Sequence, residues 1–198
     1  MKILSVIVLR QVPGNAPVVL SMQFEAGIAG FWKQNVQEIC VFASREVVRR
    51  SREGLMSVKH KEYLCHCRVL ESHLAVVAVC DEQYPVYVAF NLLKEALELF
   101  ISKHKEESWS SVSTDKNLSV PGMEQLLKKY QDPSEADKIL KIKKELDETK
   151  EIVLKTMDQL LERGVKLDNL IDLSTDLSFQ SKAFAKKSEE LNSCCNFF

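Results

Sequence analysis

The chain has 198 residues, with 27 Lys and Arg against 28 Asp and Glu; a net charge of −1 gives no global electrostatic case for a nucleic-acid partner. That length holds one packed domain plus an extra segment, and a hydrophobic fraction of 45% is ordinary for a globular protein. The longest unbroken apolar run, Leu74 to Cys80, falls far short of the roughly 20 residues that a spanning helix needs.

At the N-terminus, Ile3, Ser5 and Ile7 alternate with Leu4, Val6 and Val8, and Arg10 and Pro13 follow. This pattern reads as a buried strand rather than a signal peptide. A cytosolic chain with reduced thiols is expected, and the sequon Asn117-Leu118-Ser119 is then without consequence. Pro13, Gly14 and Asn15 supply turn chemistry, so the next apolar stretch, Pro17 to Phe24, closes a hairpin. From Asn35 to Arg50 a helix is predicted, with Val36, Ile39, Cys40, Ala43 and Val47 on its buried face. Phe42 falls on the opposite face with Glu38, Arg45 and Arg49. A lone exposed phenyl is ordinary on a protein surface; among charges it is also a candidate docking contact.

Ser51 to Gly54 breaks the helix, and strands are predicted on both sides of a turn at Glu71-Ser72-His73. Tyr84-Pro85 opens a long helix to about His104, Ser108 to Pro121 is polar loop, and a short helix begins at Met123. The sum is α+β, an antiparallel sheet with flanking helices over residues 1–131. Cys40 and Cys80 sit in apolar patterns as core fillers. Strand alternation separates His66 from Cys65 and Cys67, and no further ligand pair completes a tetrahedral metal set.

After Asp132-Pro133 the period changes. A 3-4 spacing runs through Ile139, Ile142, Leu146, Thr149, Val153, Thr156, Leu160, Arg163, Leu167, Leu170, Ser174, Leu177, Ser181, Phe184, Ser188 and Leu191. Ten of these sixteen are large and apolar, five are Ser or Thr, and one is Arg163. No proline interrupts the run and Gly164 is its only glycine, the pattern of a coiled-coil strand over residues 132–193. One amphipathic helix cannot bury its own stripe. Two facing Arg163 guanidiniums, buried unpaired in a homodimer, would cost several kcal/mol. Partners that offer amide or carboxylate oxygens remove that cost, so a heteromeric bundle is favoured.

These positions resemble the SNARE motif of the R-SNARE class. Arg163 fits its central ionic layer, with seven layers before it and eight after, and Glu145 to Ser174 is the best-matching stretch. The N-terminal region resembles a longin domain, a profilin-like fold, in element order and length, and Tyr84 to Phe90 is similar to that family's second helix. The tail at 194–198 resembles that of the prenylated longin R-SNARE without a transmembrane segment. Cys195-Asn196-Phe197-Phe198 has the C-a-a-X form. The resemblance implies a prenyl group on Cys195 and a second lipid, palmitoyl, on Cys194. A terminal Phe leans toward geranylgeranyl and the family toward farnesyl. One lipid chain holds a membrane only marginally, and the lysines nearby, Lys182, Lys186 and Lys187, are offset by Glu189 and Glu190.

The resemblance further implies no catalysis and no cofactor beyond the covalent lipids. Three glutamine-class SNARE helices would complete a bundle around Arg163, and an adaptor and an ATPase would dismantle it. A cytoplasmic pool would exchange with the cytosolic face of Golgi, ER-derived, endosomal and vesicle membranes. The unpaired repeat would fold back over the surface around Phe42. Phosphate at the layer positions Ser174, Ser181 and Ser188 would block zippering. A non-fusogenic coiled-coil adaptor is the rival reading, and it expects Arg163→Ala to be harmless. A thiol enzyme using Cys194 or Cys195 would need an activating base, which a chain terminus does not provide.

Overall fold

The computed structural model describes residues 2–28, 30–133 and 152–187. A six-stranded sheet has the order β2-β1-β5-β4-β3-β6. Its strands are β1 (Ile3–Arg10), β2 (Val18–Phe24), β3 (Gly54–His60), β4 (Tyr63–Val69), β5 (Leu74–Asp81) and β6 (Val153–Thr156). The first five pair antiparallel, as expected from the hairpins. The sixth comes from the C-terminal repeat and pairs parallel with β3, Met56 opposite Val153 and Lys59 opposite Thr156.

The central strands are buried on both faces. Leu74, Val76, Ala78 and Cys80 of β5 point to one core; Ala75, Val77 and Val79 point to the other. This is why the longest apolar run of the chain is a strand without polar alternation. Helices α2 (Val86–Lys103) and α3 (Met123–Tyr130) cover the first face. The Tyr84 hydroxyl donates to the Tyr130 carbonyl at 2.6 Å and ties the entry of α2 to the end of α3. Helix α1 (Lys33–Arg50) covers the second face through Cys40, Val47 and Val48. Loop 115–118 caps the free side of β2, with the Lys116 and Leu118 amides donating to the Val19 and Leu20 carbonyls.

The C-terminal repeat departs from the single long helix that its spacing predicts. Over the described residues it forms β6, then α4 (Met157–Leu160), α5 (Leu167–Leu173) and α6 (Phe179–Lys187). The physical reason is the stripe's need for cover. Its apolar residues are buried on α1 and the β3 edge of the same chain. Gly164, at φ +92°, lies in the turn between α4 and α5, a left-handed conformation open to glycine at no steric cost. The layer positions Ile139, Ile142, Leu146, Thr149, Ser188 and Leu191, and the tail cysteines Cys194 and Cys195, lie outside the described residues.

Candidate functional site

The site is the outer face of α1 and what lies on it. The wheel places Phe42 and Arg45 opposite the buried face, yet both are buried, Phe42 at 7% exposure. Helical periodicity detects one buried face; α1 has two, because the folded-back repeat covers the second. Phe42 packs with Ile171 and Leu177, and Ile39, Leu167, Leu170 and Ala185 complete the cluster. Trp32, just before α1, stacks on Phe184 with ring centroids 5.0 Å apart. Nearer the sheet, Met157 and Leu160 join the core that α1 shares with β3 and β4.

Polar groups bracket this apolar contact. Arg45 is nearly enclosed, donates to the Pro17 carbonyl and pairs with Asp115. Its Nε also sits 2.8 Å from the Asp176 carboxylate, an ion pair rather than a well-directed hydrogen bond. Burial alone would lower the pKa of Arg45, but the Asp115 and Asp176 carboxylates outweigh it and raise the value above normal. One turn before Phe42, the Glu38 carboxylate accepts the Ser178 amide at 2.7 Å and Gln34 Nε2 at 2.8 Å. Partial burial works against its charge, but bonds from the Ser178 amide, Ser181, Gln34 and the Ser178 hydroxyl hold its pKa down at about 2.

The residues at the expected layer positions divide in this arrangement. Leu160, Leu177 and Ser181 are buried; Leu167, Leu170, Ser174 and Phe184 are partly covered. Val153, Thr156 and Arg163 are exposed, and Arg163 makes no ion pair among the described residues. Thr156 caps α4 through a reciprocal pair with Gln159, 3.2 and 3.0 Å. Ile171 and Met157 lie outside the layer set and are buried here, as are Asp176 and Ser178 in part. Sequence reasoning missed the roles of Glu38, Arg45, Asp176 and Ser178, although the first two share the face of Phe42.

The internal cysteines are chemically quiet. Burial pushes the Cys40 thiol up to about 11, those of Cys65 and Cys67 up to about 12, and that of Cys80 upward as well. Cys65 and Cys67 face α1, whereas His66 faces α2 and meets Phe90 edge-on at 5.4 Å. Among the described residues no helix is long and apolar enough to cross a membrane.

Comparison with known proteins agrees with this architecture. The family model for the Longin, or regulated-SNARE-like, domain matches residues 25–127, and the Synaptobrevin model matches residues 138–196. A putative synaptobrevin homolog YKT6 from Dictyostelium discoideum is 41% identical over the full length of both chains. The VAMP-like protein YKT61 of Arabidopsis thaliana is 42% identical over 98% of each chain. The synaptobrevin homolog YKT6 of Debaryomyces hansenii is 36% identical over 98% of each. With a longin fold, both family models matched and relatives aligned from end to end, the chain belongs to the longin-domain R-SNAREs, the synaptobrevin homologues of the YKT6 group.

Proposed function

We propose that the protein drives vesicle docking and membrane fusion as an R-SNARE, and that the folded-back form is its inactive state. The observation that carries this reading is the double use of one stripe. Leu160, Leu177 and Ser181 belong to the layers of the expected bundle, and in the free chain they are buried against the longin domain. Both uses cannot hold at once. In the bundle Arg163 would donate to glutamine oxygens from three glutamine-class SNARE helices in a layer sealed from water. Zippering toward the C-terminus would then draw an anchored tail toward the facing membrane.

The anchor in this reading is a prenyl group on Cys195 with a second lipid, palmitoyl, on Cys194, because two chains hold a bilayer where one does not. The chain makes and breaks no bond in this cycle, and disassembly falls to an outside adaptor and ATPase. Reversible lipidation would let a cytoplasmic pool exchange with the cytosolic face of Golgi, ER-derived and endosomal membranes.

The test is Phe42→Glu in the full chain. A carboxylate in the Ile171–Leu177 cluster should open the closed form, increase the hydrodynamic radius and lower the soluble fraction. An unchanged size and solubility would remove the closed-state reading. Arg163→Ala should weaken complexes with the three glutamine-class helices; a neutral result would favour a tether that does not fuse membranes. Intact mass of the native protein in soluble and membrane fractions would show the prenyl mass and, in the membrane fraction, the acyl mass.

A further inference from the structure

Helix α1 presents Glu38, Phe42 and Arg45 at i, i+4 and i+7, one continuous face. Opposite lies the non-helical stretch between α5 and α6, Ser174 to Ser178. Ser174 ends α5 with ψ 135°, and its Oγ accepts the Asp176 amide at 3.1 Å. Asp176 pairs with Arg45, Leu177 enters the Phe42 cluster, and the Ser178 amide donates to Glu38. Ser178 Oγ in turn accepts the Ser181 amide at 3.3 Å and so caps α6, whose N-terminus lies against the Glu38 charge.

A continuous helix needs these same backbone groups for itself. Its i to i−4 ladder would run from the Asp176 amide to the Asp172 carbonyl and from the Ser178 amide to the Ser174 carbonyl. Here the Asp176 amide is held by Ser174 Oγ, the Ser178 amide by Glu38, and the Asp172 carbonyl by Lys182 Nζ at 2.7 Å. Of these three bonds the one from the Ser178 amide to Glu38 is supplied by α1, so the contact with α1 diverts a ladder group as well as covering apolar surface.

Resting on the closed-state reading above, we infer that Glu38 and Arg45 form a polar clamp on Ser174–Ser178 that keeps this stretch out of helix and gates the C-terminal half of zippering. Glu38 acts on the backbone at Ser178 and Arg45 on the Asp176 side chain, both separately from the apolar contact at Phe42. Asp176 lies between the layers Ser174 and Leu177, off the bundle stripe, so it can be changed without altering the bundle core. The partner group on α1 is not part of the bundle at all.

The experiment uses the full chain carrying Glu38→Ala, Asp176→Ala or both, with Phe42→Glu as reference. Arg45 is left intact because it also holds Pro17 and Asp115 within the longin fold. Two quantities are read: hydrogen exchange at the Ser178 amide in the free protein, and the rate of assembly with three glutamine-class SNARE helices. Each single variant should speed both by roughly tenfold, the factor expected from losing one charge-assisted contact. The melting temperature of the assembled complex should stay where it is. If Phe42→Glu accelerates assembly while Glu38→Ala and Asp176→Ala change nothing, the clamp is wrong and the closed state survives. If no variant responds, both are wrong. A lower melting temperature for the Asp176→Ala complex would place Asp176 in the bundle and overturn the clamp.

Discussion

Gly164 and His66 are single residues whose chemistry sets a measurable property. Gly164 sits at φ +92° with no atom of the described residues within 4 Å of the place a Cβ would occupy, so among these residues a side chain there is opposed by backbone conformation alone. In a zippered helix the same residue weakens the structure by about 1 kcal/mol relative to alanine. Gly164→Ala therefore strains the closed form and favours the helix, two effects of one sign. The expected result is faster assembly and a complex that melts a few degrees higher; slower assembly would contradict the role of this turn. His66 is fully buried, its Nδ1 lies 2.8 Å from Ser57 Oγ, and its Nε2 has no hydrogen-bond partner among the described residues. Burial lowers its pKa to about 4, so the folded chain binds fewer protons than the unfolded chain between about pH 4 and the ordinary value of 6.5. Folding stability should be full above pH 6.5 and fall as pH drops toward 4, by about 3 kcal/mol at most. Urea denaturation of the wild type at pH 7 and pH 4.5, against His66→Gln, checks this. An equal pH slope in the variant would assign the loss to other groups.

At the scale of elements, Ser181 shows how two states constrain one position. Its side chain is buried, its amide completes the cap of α6, and its hydroxyl lies 3.1 Å from Ser178 Oγ and close to Glu38. Ser181→Asp would put a second carboxylate beside one held ionised at neutral pH, and the α1–α6 contact should separate. The same charge in a bundle layer would also hinder zippering. The expected outcome is a larger hydrodynamic radius together with slower liposome fusion, an unusual pairing that distinguishes this position from Phe42. The strands before Pro133 were legible as apolar runs bounded by turn residues, the helices by their 3.6 period, and the start of α2 by Tyr84-Pro85. The break of the repeat into β6 and α4 to α6 was not legible. Its 3-4 spacing suits one long helix among partners and also short helices on a groove, so one pattern encodes both, and the choice depends on what surface is available. Phe42 was visible as an anomaly on a charged face. Glu38 and Arg45 looked like ordinary solvated charges, since nothing local to α1 reveals a segment more than 120 residues away.

For the molecule as a whole, the proposed closed state would turn binding into a gated reaction. The repeat from residue 139 to 191 would extend to about 80 Å as one helix, and it cannot do so while β6 is paired with β3 and α6 lies on α1. If partner helices engage only the open form, the assembly rate must level off with partner concentration at the rate of opening. The chain carries its own reporter of that step. It has two tryptophans: Trp109 is buried at 3% exposure in the longin core, while Trp32 is 53% exposed and stacked on Phe184 of α6. In a Trp109→Phe background, opening frees Trp32 from the stack and its emission should shift to the red. Mixed with rising concentrations of the three glutamine-class helices, this signal should saturate, and the plateau should rise in Phe42→Glu. A rate that keeps growing in proportion to partner concentration would mean that assembly begins on the closed chain. The exposed Arg163 and Val153 would then be its point of contact, and release of α6 would follow binding rather than precede it.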